Sequence, residues 1–485
     1  MKQFKKVLIA NRGEIASRVI RACKELGIKT VAIYSEADSQ ALHVKKADEA
    51  YLVGPGPISG YLNINRIVDL AINTGADAIH PGYGFLSENP KFPEVCEKRG
   101  VIFIGPSSQT IAMMGDKIES KRLMKSVGVP VVEGSEGGVE SEEEAVAVAN
   151  KIGYPVMIKA SAGGGGKGIR ICFNDGELIK NFPLSRSEAE KSFGNPEVFI
   201  EKYIERPHHI EFQILADNYG NIIHLGERDC SIQRRHQKLI EIAPSLILNE
   251  EMRKKMGESS VKAARACNYR NAGTIEYIVD KNGNYYFMEM NTRIQVEHSV
   301  TEIVTGVDIV GEQIQIAMGK ELDIKQEDVS MRGYAIECRI NAENPRKDFI
   351  PSTGKITAYY SPGGIGVRID GAVYKDYIIQ PFYDSMIAKL TVSGRTWEET
   401  VRRAQRALDE YVVKGIKTTI PFQLKIVQDE DFLKGNFDTH FIDERLYLRD
   451  YKLQKDPFDR ILAISAAISA YYGIYYNKYN IKGKV

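Results

Sequence analysis

Two carboxylates, Glu276 and Glu289, sit on adjoining β-rich runs, residues 273–279 and 285–291, joined by Asp280-Lys281-Asn282-Gly283-Asn284. Asn-Gly is the strongest short hairpin signal. A two-residue turn there pairs Lys281 with Asn284, and the same register sets Glu276 directly opposite Glu289. Opposed carboxylates repel. A divalent cation between them converts that cost into binding, and oxygen-only ligation suits magnesium or manganese. Asn291 falls on the same face, so Glu276, Glu289 and Asn291 form the expected metal set. The apolar neighbours Ile275, Ile278, Phe287 and Met288 argue for a buried hairpin rather than an exposed acidic edge. Past the hairpin, Glu289, Asn291, Arg293, Gln295 and Glu297 alternate and share one face of an extended chain. Arg293 suits a bidentate grip on a planar oxyanion. Glu297 beside it suits a general base.

A second pattern concerns phosphate. Residues 155–160 read as a strand ending near Lys159, followed by Gly163-Gly164-Gly165-Gly166-Lys167-Gly168 and a second strand at 169–171. This is not a P-loop, because Gly168 stands where Ser or Thr is required and no helix follows. It reads as a mobile flap whose bare amides close on phosphate oxygens. The third cluster, Glu227 to Lys238, is strongly charged. Alone it reads as a solvated loop or a basic patch, and beside a nucleotide it would hold phosphate and a small anion. It has no interleaved aromatics, which counts against nucleic acid. The histidine pair His208-His209 is a weak signal by itself.

These groups need a large scaffold. The 485 residues suggest roughly three domains at about 150 residues each. Hydrophobic content of 43% with 27% charge is that of a globular protein. Basic and acidic residues, 65 and 64, nearly cancel, so no bulk field points to nucleic acid or an anionic membrane. The cysteines are widely spaced without a C-x-x-C pair, and no signal-peptide pattern opens the chain, so the expectation is a reducing, cytoplasmic setting. Residues 1–115 alternate strands and helices, with parallel strands and right-handed crossovers expected. A helix there carries Ile15, Val19, Cys23 and Leu26 on one face and stops at Gly27. The first turn lacks G-x-G-x-x-G, which excludes the usual dinucleotide site. Residues 116–330 mix Gly-rich β turns with helices, including one near 140–152. Residues 331–446 read as an α+β region with strands near 334–340 and 386–392 and a helix over 397–411. The apolar stretch 461–476 is short of the about 20 residues a membrane span needs, so it reads as a docking helix in a tail, 447–485.

Four runs carry a family resemblance: Lys6 to Ala16, His80 to Asn89, Glu227 to Lys238 and Phe287 to His298. From near its first residue to about residue 446 the chain resembles biotin carboxylase subunits. The last run also fits a signature shared with carbamoyl-phosphate synthetases. The resemblance implies an ATP-grasp fold, with a glycine-rich lid at about 132–203, between an N-terminal α/β domain and a C-terminal biotin carboxylase domain. It implies that Lys117, Lys159, Glu201, Lys202, Ile204, His209, Gln233 and His236 contact ATP, with Gly165 and Gly166 in the lid. Lys238, Arg293, Gln295 and Val296 would hold bicarbonate, Glu297 would be its base, and Tyr83 and Arg339 would meet the biotin ring. The implied catalytic set is therefore Glu297, Arg339, Lys238 and Arg293. The implied cofactors are ATP, magnesium or manganese, and biotin supplied in trans.

The sequence departs from the family pattern at Asn271, Ser299, Asn344 and Thr353, which affects local turns rather than proposed ligands. It contains no Ala/Val-Met-Lys-Met biotinylation motif; Met124-Lys125 lacks the flanks. Biotin is thus expected on a separate biotin carboxyl carrier protein, and the acyl acceptor on a carboxyltransferase subunit. A homodimer follows from the resemblance. The acceptor on the carboxyltransferase subunit is pyruvate, acetyl-CoA, propionyl-CoA or 2-oxoglutarate; the run 237–248 and the Ala-rich tail look most like pyruvate carboxylase subunits, with acetyl-CoA and propionyl-CoA carboxylases as alternatives. The competing readings are another acyl-phosphate-forming ATP-grasp ligase and a nucleotide-binding subunit without catalysis.

Overall fold

The computed structural model describes residues 3–161 and 169–449, with residues 464, 465, 467, 468 and 471 of the tail. The apolar run Val7-Leu8-Ile9 forms the central strand of a parallel sheet. Its strands are β1 (Lys6–Ile9), β2 (Lys29–Ser35), β3 (Glu49–Gly54), β4 (Ala78–His80) and β5 (Ile102–Phe103), in the order β3-β2-β1-β4-β5. Between β1 and β2, the helix Gly13–Glu25 buries Ile15, Val19 and Cys23. Leu26, expected on that face, lies beyond the last turn and is largely exposed.

A small antiparallel sheet follows: β6 (Val156–Ala160), β7 (Arg170–Cys172) and β8 (Val198–Lys202), in the order β7-β6-β8. Helices Glu142–Ile152 and Asp175–Phe193 cover one face of it. The glycine run, with Gly165 and Gly166, lies outside the described residues.

The main sheet has eight antiparallel strands. In chain order they begin with β9 (His208–Ala216), β10 (Ile222–Arg234), β11 (Gln237–Ala243), β12 (Asn271–Val279), β13 (Tyr285–Asn291) and β14 (Tyr334–Asn341). Strands Met386–Gly394 and Val367–Gly371 extend the sheet beyond β14, giving the order β13-β12-β9-β10-β11-β14 and then those two. The helix Trp397–Glu410 packs on this end. One apolar cluster joins Val7, Ile9 and Ile15 to Leu215, Ile223 and Ile309, so the parallel sheet is anchored to the main one.

Asn271 sits at φ +74°, a region that favours glycine, and Asn is among the side chains that tolerate it best. Its amide meets Gln313 in both directions, at 2.9 and 3.0 Å. Ser299 donates to Glu337 and meets Thr391 at 2.7 Å. Both departures are thus satisfied by local hydrogen bonds. No helix among the described residues is long and apolar enough to cross a membrane. The tail residues Ile464, Ile468 and Tyr471 are helical and exposed; the rest of the expected docking helix lies outside the described residues.

Candidate active site

A cavity of about 1190 Å³ lies between the small sheet, the main sheet and the parallel sheet. Its floor is a row of charged residues in register. Arg228 on β10 pairs with Glu211 on β9, Glu211 with Glu276 on β12, and Glu276 with Glu289 on β13. The Glu276–Glu289 pairing expected from the sequence is present, but by a different route. The turn is a three-residue loop: Asp280 N–H meets Asn284 O at 2.8 Å, Gly283 N–H meets Asp280 O at 3.0 Å, and Gly283 has φ +82°. The Asp280 carboxylate accepts from the N–H groups of Asn282 and Asn284 and fixes this loop. The loop alone would place Met288 opposite Glu276. A bulge between Tyr277 and Glu276 inserts Met288 and restores the pairing. It also turns two successive residues, Met288 and Glu289, toward the cavity, while Phe287 and Met290 stay in the core.

The extended stripe does not continue as expected. β13 ends at Asn291, residues 292–297 form a loop, and Glu297 caps the helix His298–Thr305. The loop still brings the alternating residues together. Arg293 donates to Asn291 Oδ1 at 2.9 Å and to Gln295 Oε1 at 3.0 Å, and also pairs with Glu88 at 2.8 Å. Gln295 reaches Glu276 at 2.8 Å.

Lys238 is the hub. Its Nζ lies 2.6 Å from Glu211, 3.0 Å from Glu276 and 2.7 Å from Glu297. The second oxygen of Glu297 meets Arg339 at 3.0 Å, and Arg339 meets Glu241 at 2.5 Å. Arg228, fully buried, pairs with Glu211 and also donates to Gln213, Thr301 and Thr274. Burial alone would raise the Glu297 carboxyl; Lys238, Arg339 and Arg228 outweigh it and hold Glu297 far below the usual carboxylate range. Burial likewise opposes the charge on Lys238, and the acidic groups around it hold its ammonium well above its ordinary value. A network with alternating charges satisfied this way is stable as a unit, and each member depends on the others.

Glu276 and Glu289 differ in environment. Glu276 accepts from Lys238, Asn291 and Gln295 on one oxygen and from His209 on the other, at 2.8–3.0 Å. Against burial, these neighbours hold it well below the ordinary range. Burial, and then the charge of Glu276, push the Glu289 carboxyl up. A divalent cation shared by the two would relieve that repulsion, so this donor set fits magnesium or manganese.

At the end of the cavity beside the small sheet, Lys159 meets Glu201 at 2.7 Å, and Lys121 pairs with the same carboxylate. The Glu201 side chain is thus engaged by two lysines. Lys202 ties back the carbonyls of Gly153 and Tyr154, at 2.9 and 2.8 Å. Lys117, Ile204, Gln233 and His236 line the cavity. The charged run Glu227 to Lys238 is no solvated loop. It is the β10–β11 hairpin, turned by Arg235 and His236 at φ +48° and +64°. Tyr83 lines the opposite wall, in a loop strapped by Asn11, whose amide donates to the carbonyls of Pro81 and Tyr83, both at 2.7 Å.

Sequence reasoning missed Glu211, Glu241 and Lys121 as part of the site, and it took Arg228 only as one member of the charged run. Glu211 carried a signal: along β9 polar residues at 209, 211 and 213 alternate with apolar ones at 210, 212 and 214. Lys121 carried none, being one lysine on a charged helix.

The same three-part order appears in known proteins. Residues 3–111 match the family model "Biotin carboxylase, N-terminal domain", 116–325 "Carbamoyl-phosphate synthase L chain, ATP binding domain", and 337–444 "Biotin carboxylase C-terminal domain". A pyruvate carboxylase subunit of Methanothermobacter thermautotrophicus is 56% identical, covering 96% of this chain and 99% of its own. Biotin carboxylase 1 of Bacillus subtilis is 59% identical, covering 91% of this chain and 98% of its own. The biotin carboxylase domain dimer of Hydrogenobacter thermophilus 2-oxoglutarate carboxylase, solved with MgADP, ADP and bicarbonate, superposes with a TM-score of 0.91. It is 58% identical and covers 93% of this chain and 100% of its own. With all three domains matched in order and at this identity, the chain belongs to the biotin carboxylases, a family of ATP-dependent carboxylase ligases.

Proposed function

We propose that this chain uses ATP and bicarbonate to carboxylate biotin carried on a separate protein, through carboxyphosphate. The observation that supports it most is Glu297 held between Lys238 and Arg339 on the floor of the cavity. Lys117 and Lys159 face the ATP phosphates from the small-sheet side, with Gly165 and Gly166 as the lid. Residues 199–204, including Glu201, Lys202 and Ile204, run along the base, and His209, Gln233 and His236 complete the pocket. Glu276 and Glu289, with Asn291, would hold the divalent cation, which when bound neutralises phosphoryl charge.

Bicarbonate lies among Lys238, Arg293, Gln295 and Val296. Its oxygens compete with Glu297 for Lys238 and Arg339, which releases the constraint that keeps Glu297 weakly basic. Glu297 then takes the bicarbonate proton, and the freed oxygen attacks the γ-phosphorus as ADP leaves. Carboxyphosphate breaks down to carbon dioxide and phosphate, and the phosphate removes the biotin N1′ proton. Arg339 stabilises the oxyanion of the biotin ring, with Tyr83 facing it. A closed lid keeps water from the labile intermediate.

The partner subunit is of the 2-oxo-acid carboxylase kind, with pyruvate the acceptor that the run 237–248 suggests and 2-oxoglutarate the alternative. The relatives named for 2-oxo-acid carboxylases, a 2-oxoglutarate carboxylase small subunit at 97% and the pyruvate carboxylase subunit at 96%, cover more of this chain than the plain biotin carboxylase at 91%, and the C-terminal family match ends at residue 444. The additional likeness therefore lies with the tail. A biotinylated carrier, a second copy of this chain and a carboxyltransferase subunit complete the assembly.

The test is steady-state ATP hydrolysis with magnesium and bicarbonate, with and without free biotin. Biotin should stimulate turnover, and Glu297→Ala and Arg339→Ala should each reduce the stimulated rate about 10²-fold or more. Hydrolysis that ignores biotin, or that requires an amine, would move the chain to another ATP-grasp ligase.

A further inference from the structure

Two walls of the cavity share one buried lysine. Lys389, on strand Met386–Gly394, is fully buried. Its Nζ donates to the Val296 carbonyl at 2.5 Å and stands 3.7 Å from Glu14 and 3.9 Å from Glu337. Glu14, at the start of helix Gly13–Glu25, accepts a hydrogen bond from the Tyr83 hydroxyl. Tyr83, Glu14 and Val296 all line the cavity. The other oxygen of Glu14 is buried with no hydrogen-bond partner among the described residues. One ammonium therefore ties the carbonyl that precedes Glu297 to the carboxylate that holds Tyr83.

We propose that Lys389 and Glu14 are positioning residues that hold the bicarbonate loop and the Tyr83 wall at a fixed separation, so that carbon dioxide forms within reach of the biotin ring. This rests on the biotin reading of Tyr83. Neither residue needs to touch substrate. A buried ammonium keeps its charge only while its carboxylates stay in place, so the two ends move together. Other charged groups face the pair: Glu337 from β14, and Asp370 and Arg368 from strand Val367–Gly371. Burial pushes the Glu14 carboxyl up to about 7, with Asp370 and Glu337 adding to the rise and Lys389 and Tyr83 opposing it.

Glu14→Gln keeps the size and the hydrogen bond to Tyr83 but removes the charge. Bicarbonate-dependent ATP turnover of the full chain, with free biotin varied, is the assay. The biotin KM should rise about fivefold or more while the ATP KM stays within about twofold. The biotin KM of the unaltered chain should fall between about pH 6 and about pH 8 as Glu14 ionises, and Glu14→Gln should flatten that profile. Lys389→Met should raise the KM for both biotin and bicarbonate; if it does not fold, Glu14→Gln alone decides. Equal rises in the biotin and ATP KM, or an unaltered pH profile, overturn the proposal. Turnover of the unaltered chain that ignores biotin overturns the functional reading instead, and is measured first.

Discussion

Lys238 balances three buried carboxylates, and no other cation touches all three among the described residues. A buried charge pair adds little net stability when intact, but losing one partner leaves the others uncompensated. Lys238→Met should therefore destabilise the chain by about 3–5 kcal/mol, measured by urea unfolding. The same change should abolish bicarbonate-dependent turnover. A variant with normal stability and normal turnover would mean that Glu211, Glu276 and Glu297 find other partners. Glu297, the proposed base, is a strongly pinned carboxylate. Its low proton affinity comes from Lys238 and Arg339, which it shares with Glu211, Glu276 and Glu241, so an anion that draws these cations away raises it.

The elements that carry these residues are irregular where the cavity needs them. The β10–β11 turn uses Arg235 and His236 in the left-handed region, where Asn-Gly would be unstrained. His236→Gly should relieve this and stabilise the chain by about 1 kcal/mol in urea unfolding. It should also raise the ATP KM, because the ring that lines the cavity is gone. A gain in both stability and affinity would show that the strained turn serves no binding purpose. The Met288 bulge is the second irregularity. Strict alternation along β13 would put Glu289 on the same face as Phe287, in the core. The bulge instead sets an apolar and an acidic residue side by side in the cavity wall.

At the scale of the molecule, three sheets converge on one cavity, and strands from residues beyond 330 complete the main sheet. Arg339 and Lys389 enter the site from that added part, on neighbouring strands where they are paired residues. The tail carries none of the proposed ligands. Deleting residues 455–485 should leave free-biotin turnover within about twofold, since no proposed ligand is removed. It should weaken recovery of the chain with its carboxyltransferase partner in a pull-down. Loss of free-biotin turnover would place the tail in the folded core instead.

The sequence by itself determined the Glu276–Glu289 pairing and the family, though not the loop that replaces the extended stripe past Asn291. These rest on local spacing, and short β pairing carries its own register. The Glu276–Glu289 pairing was legible even though the loop length and the bulge were not, because one offset cancels the other. It could not show that Asn-Gly would sit in a three-residue loop, since the Asp280 side chain supplies the competing hydrogen bonds. Nor could it show Glu211, Glu241, Lys121 or Lys389 at the site. Those residues lie tens to hundreds of positions from their partners, and only the order of strands in the sheets, with the packing of the helix Lys117–Ser126 for Lys121, sets them a few ångströms apart. A buried charge acquires its meaning from its neighbours, and the neighbours are decided by the tertiary fold.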